Sequence, residues 1–164
     1  MPIAPANDLC ADAITIPYGS INVTGSTLGA HDDYDLCPGT PSCLASCTGF
    51  NSPGRDVVYR IDVVSPVTRL RVDYHLEPAS VDASIYVVTD CSNIAGSCIA
   101  GQDSDLGSPN EHLTVERFLA VGTYYLILDA FNPGGATWTM SGSLEDLITP
   151  TVATTWGRLK TIYR

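Results

Sequence analysis

The longest patterned stretch runs from Gly122 to Ala130, and the rest of the chain reads as organised around it. Tyr124, Leu126, Leu128 and Ala130 share one face of an extended chain; Thr123, Tyr125, Ile127 and Asp129 share the other. Both faces are mostly apolar, which predicts a central β-strand covered on each side. Asn132-Pro133-Gly134-Gly135 ends it with turn residues. The next segment, 136–144, alternates with period two: Trp138, Met140 and Leu144 on one side, hydroxyls on the other. That pattern predicts a strand pairing with the first as a hairpin.

The same alternation recurs upstream. Val57, Tyr59, Ile61 and Val63 define a dry face, with Asp56, Arg60 and Asp62 on the wet one. After a turn at Ser65-Pro66, Thr68, Leu70, Val72 and Tyr74 alternate with Arg69, Arg71 and Asp73, an antiparallel pattern. Residues 7–18 are predicted to open with a turn and pass into a short strand, further strands are predicted at 19–25 and 83–88, and residues 112–120 lead into the central strand. No helical period stands out before residue 150. About eight or nine short strands at this spacing predict an all-β antiparallel sandwich or jelly roll over residues 1–146. Residues 147–164 are left as a linker and tail. Within the body, residues 25–54 form one long loop, which a compact domain tolerates only when something fixes it.

Six cysteines supply the fixing: Cys10, Cys37, Cys43, Cys47, Cys91 and Cys98. Their CxxxC and Cx6C spacings lack zinc knuckles and have no histidine at ligand spacing, so disulfides and an oxidising compartment are expected. Joining near neighbours across loops predicts Cys10–Cys37, Cys43–Cys47 and Cys91–Cys98.

Charge narrows the partners. The net charge is −10. Residues 1–146 hold all 18 acids and five basic residues, a net −13; residues 147–164 hold Arg158, Lys160 and Arg164 and no acid, a net +3. A chain this acidic is not expected to bind nucleic acid. No apolar run approaches the ~20 residues of a membrane span. The start, Met1-Pro2-Ile3-Ala4-Pro5-Ala6, carries no signal-peptide pattern and reads as a processed end. Asn22-Val23-Thr24 is a glycosylation sequon, relevant only in a host that glycosylates.

Catalytic motifs are thin. There is no Gly-x-Ser-x-Gly, and His31, His75 and His112 are far apart and read as surface histidines. The acids fall mostly in loops and on wet faces, which argues for a solvated acidic surface over a glycosidase pair. Calcium is the one metal left open, at Asp32-Asp33-x-Asp35 and Asp103-x-Asp105, although neither matches the EF-hand loop. Otherwise no cofactor is expected. Cys43-Leu44-Ala45-Ser46-Cys47 reads as a structural disulfide before a redox pair.

Several spaced strings carry a resemblance: Asn7-Asp8-x-Cys10-x-x-Ala13-Ile14, the Cys37 loop, Asp56-Val57-Val58-Tyr59-Arg60, Asp82-Ala83-Ser84-Ile85-Tyr86-Val87, Cys91 and Gly122-Thr123-Tyr124-Tyr125. In this order they resemble the bacterial pre-peptidase C-terminal domain family over residues 7–144. The resemblance implies a secreted, non-catalytic jelly-roll sandwich, usually attached to larger exoproteins, some of them similar to collagen-binding or calcium-binding modules. A domain without an attached peptidase or other enzyme is expected here, a departure from that setting. The tail, Thr155-Trp156-Gly157-Arg158-Leu159-Lys160-Thr161-Ile162-Tyr163-Arg164, resembles a C-terminal signature of secreted proteins from environmental bacteria.

The tail is the strongest functional asymmetry. Residues 148–154 are extended by composition, and Thr155 suits a helix cap. Helical spacing groups Trp156, Leu159 and Tyr163, with Ile162 beside them. Such side chains lose about 1.5–3 kcal/mol each when left in water. The leading expectation is therefore an extracellular or cell-surface structural protein, a filament or surface-layer subunit. Its connector is the tail, with Trp156, Arg158, Leu159, Lys160, Ile162 and Tyr163 as interface and another copy of the chain as partner. The alternative is a secreted binding module for protein or carbohydrate, calcium-stabilised; an enzyme comes third.

Overall fold

The structure is a computed structural model describing residues 2–37, 42–43, 47–103, 107–118 and 120–147, with backbone alone at 42 and 43. It is a two-sheet β-sandwich, as the alternation predicts. One sheet has the order β1 (Ile14–Thr15), β5 (Val57–Val63), β10 (Gly122–Ala130), β7 (Ala83–Val88), β8 (Cys98–Gln102). The other has the order β2 (Gly19–Ser26), β11 (Thr137–Asp146), β6 (Thr68–Glu77), β9 (Asn110–Val115). A small hairpin, β3 (Ser42–Cys43) with β4 (Gly49–Phe50), lies within the long loop. All pairings are antiparallel except β1 with β5.

β10 is central, as its two apolar faces require. Leu126 stands opposite Tyr59 on one neighbour and Val87 on the other. Its inner face joins Val57, Ile61, Ile85, Leu70, Leu76 and Met140 in the main core. Trp138 of β11 closes that core, its ring edge-on to Tyr59 with centroids 5.9 Å apart. Gly25 on the adjacent strand makes room for this ring, since a Cβ there would lie 2.4 Å from Trp138 Cζ2. Gly25→Ala is expected to cost about 1–3 kcal/mol by overpacking, read as a lower urea midpoint with an unchanged slope.

The expected hairpin of 122–130 with 136–144 is not formed. β10 and β11 lie in different sheets, because β10 already has β5 and β7 on its two edges and residues 131–135 carry the chain across the sandwich. β5 and β6 are likewise in opposite sheets. Instead of a bare loop, residues 91–98 contain a single helical turn, α1 (Ile94–Ser97), capped by Asn93, whose side chain accepts from Gly96 N–H at 3.2 Å.

None of the three expected cysteine pairs forms. Cys10 is bonded to Cys91 and Cys47 to Cys98, with Cα–Cα distances of 6.4 and 6.0 Å; Cys37 is disulfide-bonded as well. The cause is the path of the long loop, which folds onto the outer face of the five-stranded sheet. A second apolar cluster forms beneath it from Leu36, Val58, Tyr86, Val88, Ile94 and Ile127. Burial on that face brings together cysteines 81 and 51 residues apart.

Candidate functional site

The loop also carries acids into the protein. Asn7 anchors the N-terminal turn on β5: its side-chain amide donates to Val58 O at 3.1 Å, and its own carbonyl accepts from Val58 N–H at 2.8 Å. This places Asp8 beside His31. Asp8 Oδ1 accepts from the His31 backbone N–H at 2.8 Å, and Oδ2 lies 2.7 Å from His31 Nδ1. Asp33 completes a group whose candidate ligand atoms all lie within 4.8 Å of one another. The hydrogen bond that His31 donates to the Asp8 carboxylate raises the pKa of this exposed imidazole.

Asp56 lies behind this group and is fully buried, not on the wet face expected from strand alternation. Its Oδ2 accepts from the backbone N–H groups of Asp33 and Tyr34 at 3.0 and 3.1 Å, while its Oδ1 is buried without a hydrogen-bond partner. Burial pushes its carboxyl up to about 7, against the pull of those two N–H groups. Asp35 also turns one oxygen inward without a partner; burial and the Asp32 charge raise its pKa. Asp129, from the outer face of β10, is fully buried under the loop. Its Oδ2 lies 2.7 Å from the Tyr86 hydroxyl, which also bonds the Tyr34 carbonyl. Burial first, then the Asp56 charge, raises the Asp129 pKa well above the usual carboxylate range.

Of the expected calcium ligands, then, Asp33 alone joins Asp8 and His31 among the described residues, while Asp32 and Asp35 line a neighbouring hollow with Asp33, Ser92 and Asn93. Asp103 is on the far side of β7, where burial and Asp82 bring its pKa to about 6; Asp105 lies outside the described residues. Strand alternation does not reveal Asp56 and Asp129 as buried acids. The available signal was Asp129 inside Leu126-Ile127-Leu128, on a strand whose two faces are both covered. The Asp8, His31 and Asp33 group offers two carboxylates and one imidazole, an oxygen-rich set of the kind a hard cation takes.

The histidines do not converge on one site. His75 contacts Asn110 and Glu77 on the open face of the four-stranded sheet. On the same face, His112 Nδ1 lies 2.5 Å from Asp73 Oδ1 and its Nε2 lies 3.3 Å from Thr114 Oγ1. This row of acid, imidazole and hydroxyl follows from register, since Asp73 faces His112 across the strand pair and Thr114 is two residues on. The imidazole and the carboxylate are both largely exposed. The expected interface residues Trp156, Arg158, Leu159, Lys160, Ile162 and Tyr163 lie outside the described residues.

No family model matches the chain, and no curated protein matches it. Among solved structures, it is similar to the pre-peptidase C-terminal domain of a collagenase from Bacillus anthracis, with 14% identity and a TM-score of 0.49 over 81% of this chain and 94% of that one.

Proposed function

We propose that the protein is a non-catalytic extracellular structural module that associates with its own copies through the C-terminal segment. The observation that carries this reading is that the last described strand of the sandwich, β11, ends at Asp146, while a further segment with Trp156, Leu159, Ile162 and Tyr163 follows in the sequence. That segment is +3 and the body it follows is −13, so copies attract tail to body. A tail that docks on the next copy makes a heterologous contact, which builds filaments or rings. Electron microscopy and sedimentation under non-reducing conditions test this on the full chain, the Trp156→Ala variant and a chain ending at Leu147. Polymers in the full chain that vanish in both variants are expected; three identical monomers would sink the reading.

A second reading, a calcium-stabilised binding module for protein or carbohydrate, draws support from this acidic group. Asp8 and Asp33, beside His31, would hold the ion, which would neutralise carboxylates that otherwise repel one another.

A further inference from the structure

We infer that the groove between the edge strands β1 and β2 is the seat of residues 148–164. The inference rests on the tail-mediated reading above and names the surface it uses. The groove has a volume of about 270 Å³ and is lined chiefly by Ile14, Ile16, Pro17, Ile21, Val23 and Tyr59. It is smaller than the roughly 300–1,000 Å³ of small-molecule pockets and suits an inserted apolar side chain better. β1 is the last strand of one sheet and β2 the last of the other, so the groove opens along the unpaired side of the sandwich. β2 pairs only with β11 among the described residues and presents an eight-residue free edge. Such an edge accepts an added extended segment.

The point where the chain leaves the sandwich selects the occupant. Leu147 donates its N–H to Val67 O at 3.2 Å and is exposed. Beside it, Asp146 pairs with Thr68, whose hydroxyl lies 3.1 Å from that of Tyr18. Tyr18 is exposed, and its neighbour Pro17 already lines the groove. A partly exposed apolar path therefore runs from the exit of β11 into the groove. Seventeen further residues, at no more than about 3.6 Å each, reach along its whole length and to a neighbouring molecule. Residues 148–154 are extended by composition and suit the β2 edge. Trp156 then suits the apolar hollow, and the +3 charge meets an acidic body.

The test places a photoactivatable benzophenone side chain at Asn22, an exposed groove position, in the full-length chain. Light and heavy isotope-labelled chains are mixed before illumination, and the cross-linked peptides are read by mass spectrometry. Cross-links from position 22 into residues 148–164 are expected. Ile14→Arg, a change at an exposed position that fills the groove with a charge, should lower their yield roughly tenfold or more. Circular dichroism confirms that the variant is folded. Cross-links elsewhere only, or a yield untouched by Ile14→Arg, would overturn the groove assignment even where Trp156-dependent polymers form. Mixed light–heavy products support both the groove and assembly. Products within single chains support the groove and remove the assembly reading.

Discussion

Replacing Cys10 and Cys91 together with serine is expected to lower stability by about 4 kcal/mol. In the chain-entropy description, cross-linking restricts the unfolded ensemble in proportion to the logarithm of the loop closed. The bridge closes a loop of 81 residues, worth about 4–5 kcal/mol, whereas a Cys91–Cys98 bridge would have contributed roughly 2–3. The native pairing also pins the N-terminal turn that carries Asp8, so the double variant should release more than entropy. Without the bridge, the loop cover over Val58, Tyr86 and Ile127 should open locally before the sandwich unfolds. Urea denaturation gives the stability change. Hydrogen exchange gives its distribution: faster exchange at Asp33 and Tyr34, whose N–H groups are held by Asp56, with Leu126 and Leu128 still protected below the global transition. A double variant with an unchanged urea midpoint would mean that burial alone holds the loop.

The difference between expected and observed disulfides shows where sequence legibility ends. Period-two alternation is imposed by the extended chain, so Trp138, Met140, Leu70 and Ile61 could be assigned to a core before any partner was known. Alternation names faces, however, and not neighbours. Nothing in 122–144 distinguishes a hairpin from two strands crossing between sheets; that choice was made by β5 and β7 occupying both edges of β10. The cysteines were paired along the chain, but the loop's route over the outer sheet face decides their contacts. The candidate site was legible in the same partial way. Asp33 and Asp35 stand out in a loop, whereas Asp56 looks like an ordinary wet-face residue until the loop covers it.

Between about pH 4 and pH 7 the calcium-free protein is expected to lose stability as pH rises, opposite to ordinary acid denaturation. Asp56 titrates near 3.8 when unfolded and near 7 when folded. Within that window the native state keeps a proton that the unfolded chain has released, so the stability is fully present below the unfolded pKa and is lost as pH rises through the folded one. Asp129, buried nearby and raised further by the Asp56 charge, acts in the same direction, so the loss belongs to the pair and amounts to roughly 3–4 kcal/mol or more across the window. Asp103, at about 6, acts in the same direction. Asp62, Asp90 and Glu145 act oppositely, since hydrogen bonds lower their pKa, but they are exposed and add little. Asp56→Asn keeps an oxygen for the Asp33 and Tyr34 N–H groups and removes the buried charge. In chelator at neutral pH it should melt higher than the parent, with a flatter dependence between pH 5 and 7. Calcium held by Asp8 and Asp33 should stabilise parent and variant alike, since Asp56 lies outside that group of ligand atoms. Thermal melts of both proteins, in chelator and in millimolar calcium across this range, separate the two effects. Parallel pH curves in chelator would remove Asp56 as the titrating group. A calcium shift much smaller in the variant than in the parent would bring Asp56 into the metal site while leaving the pH argument standing.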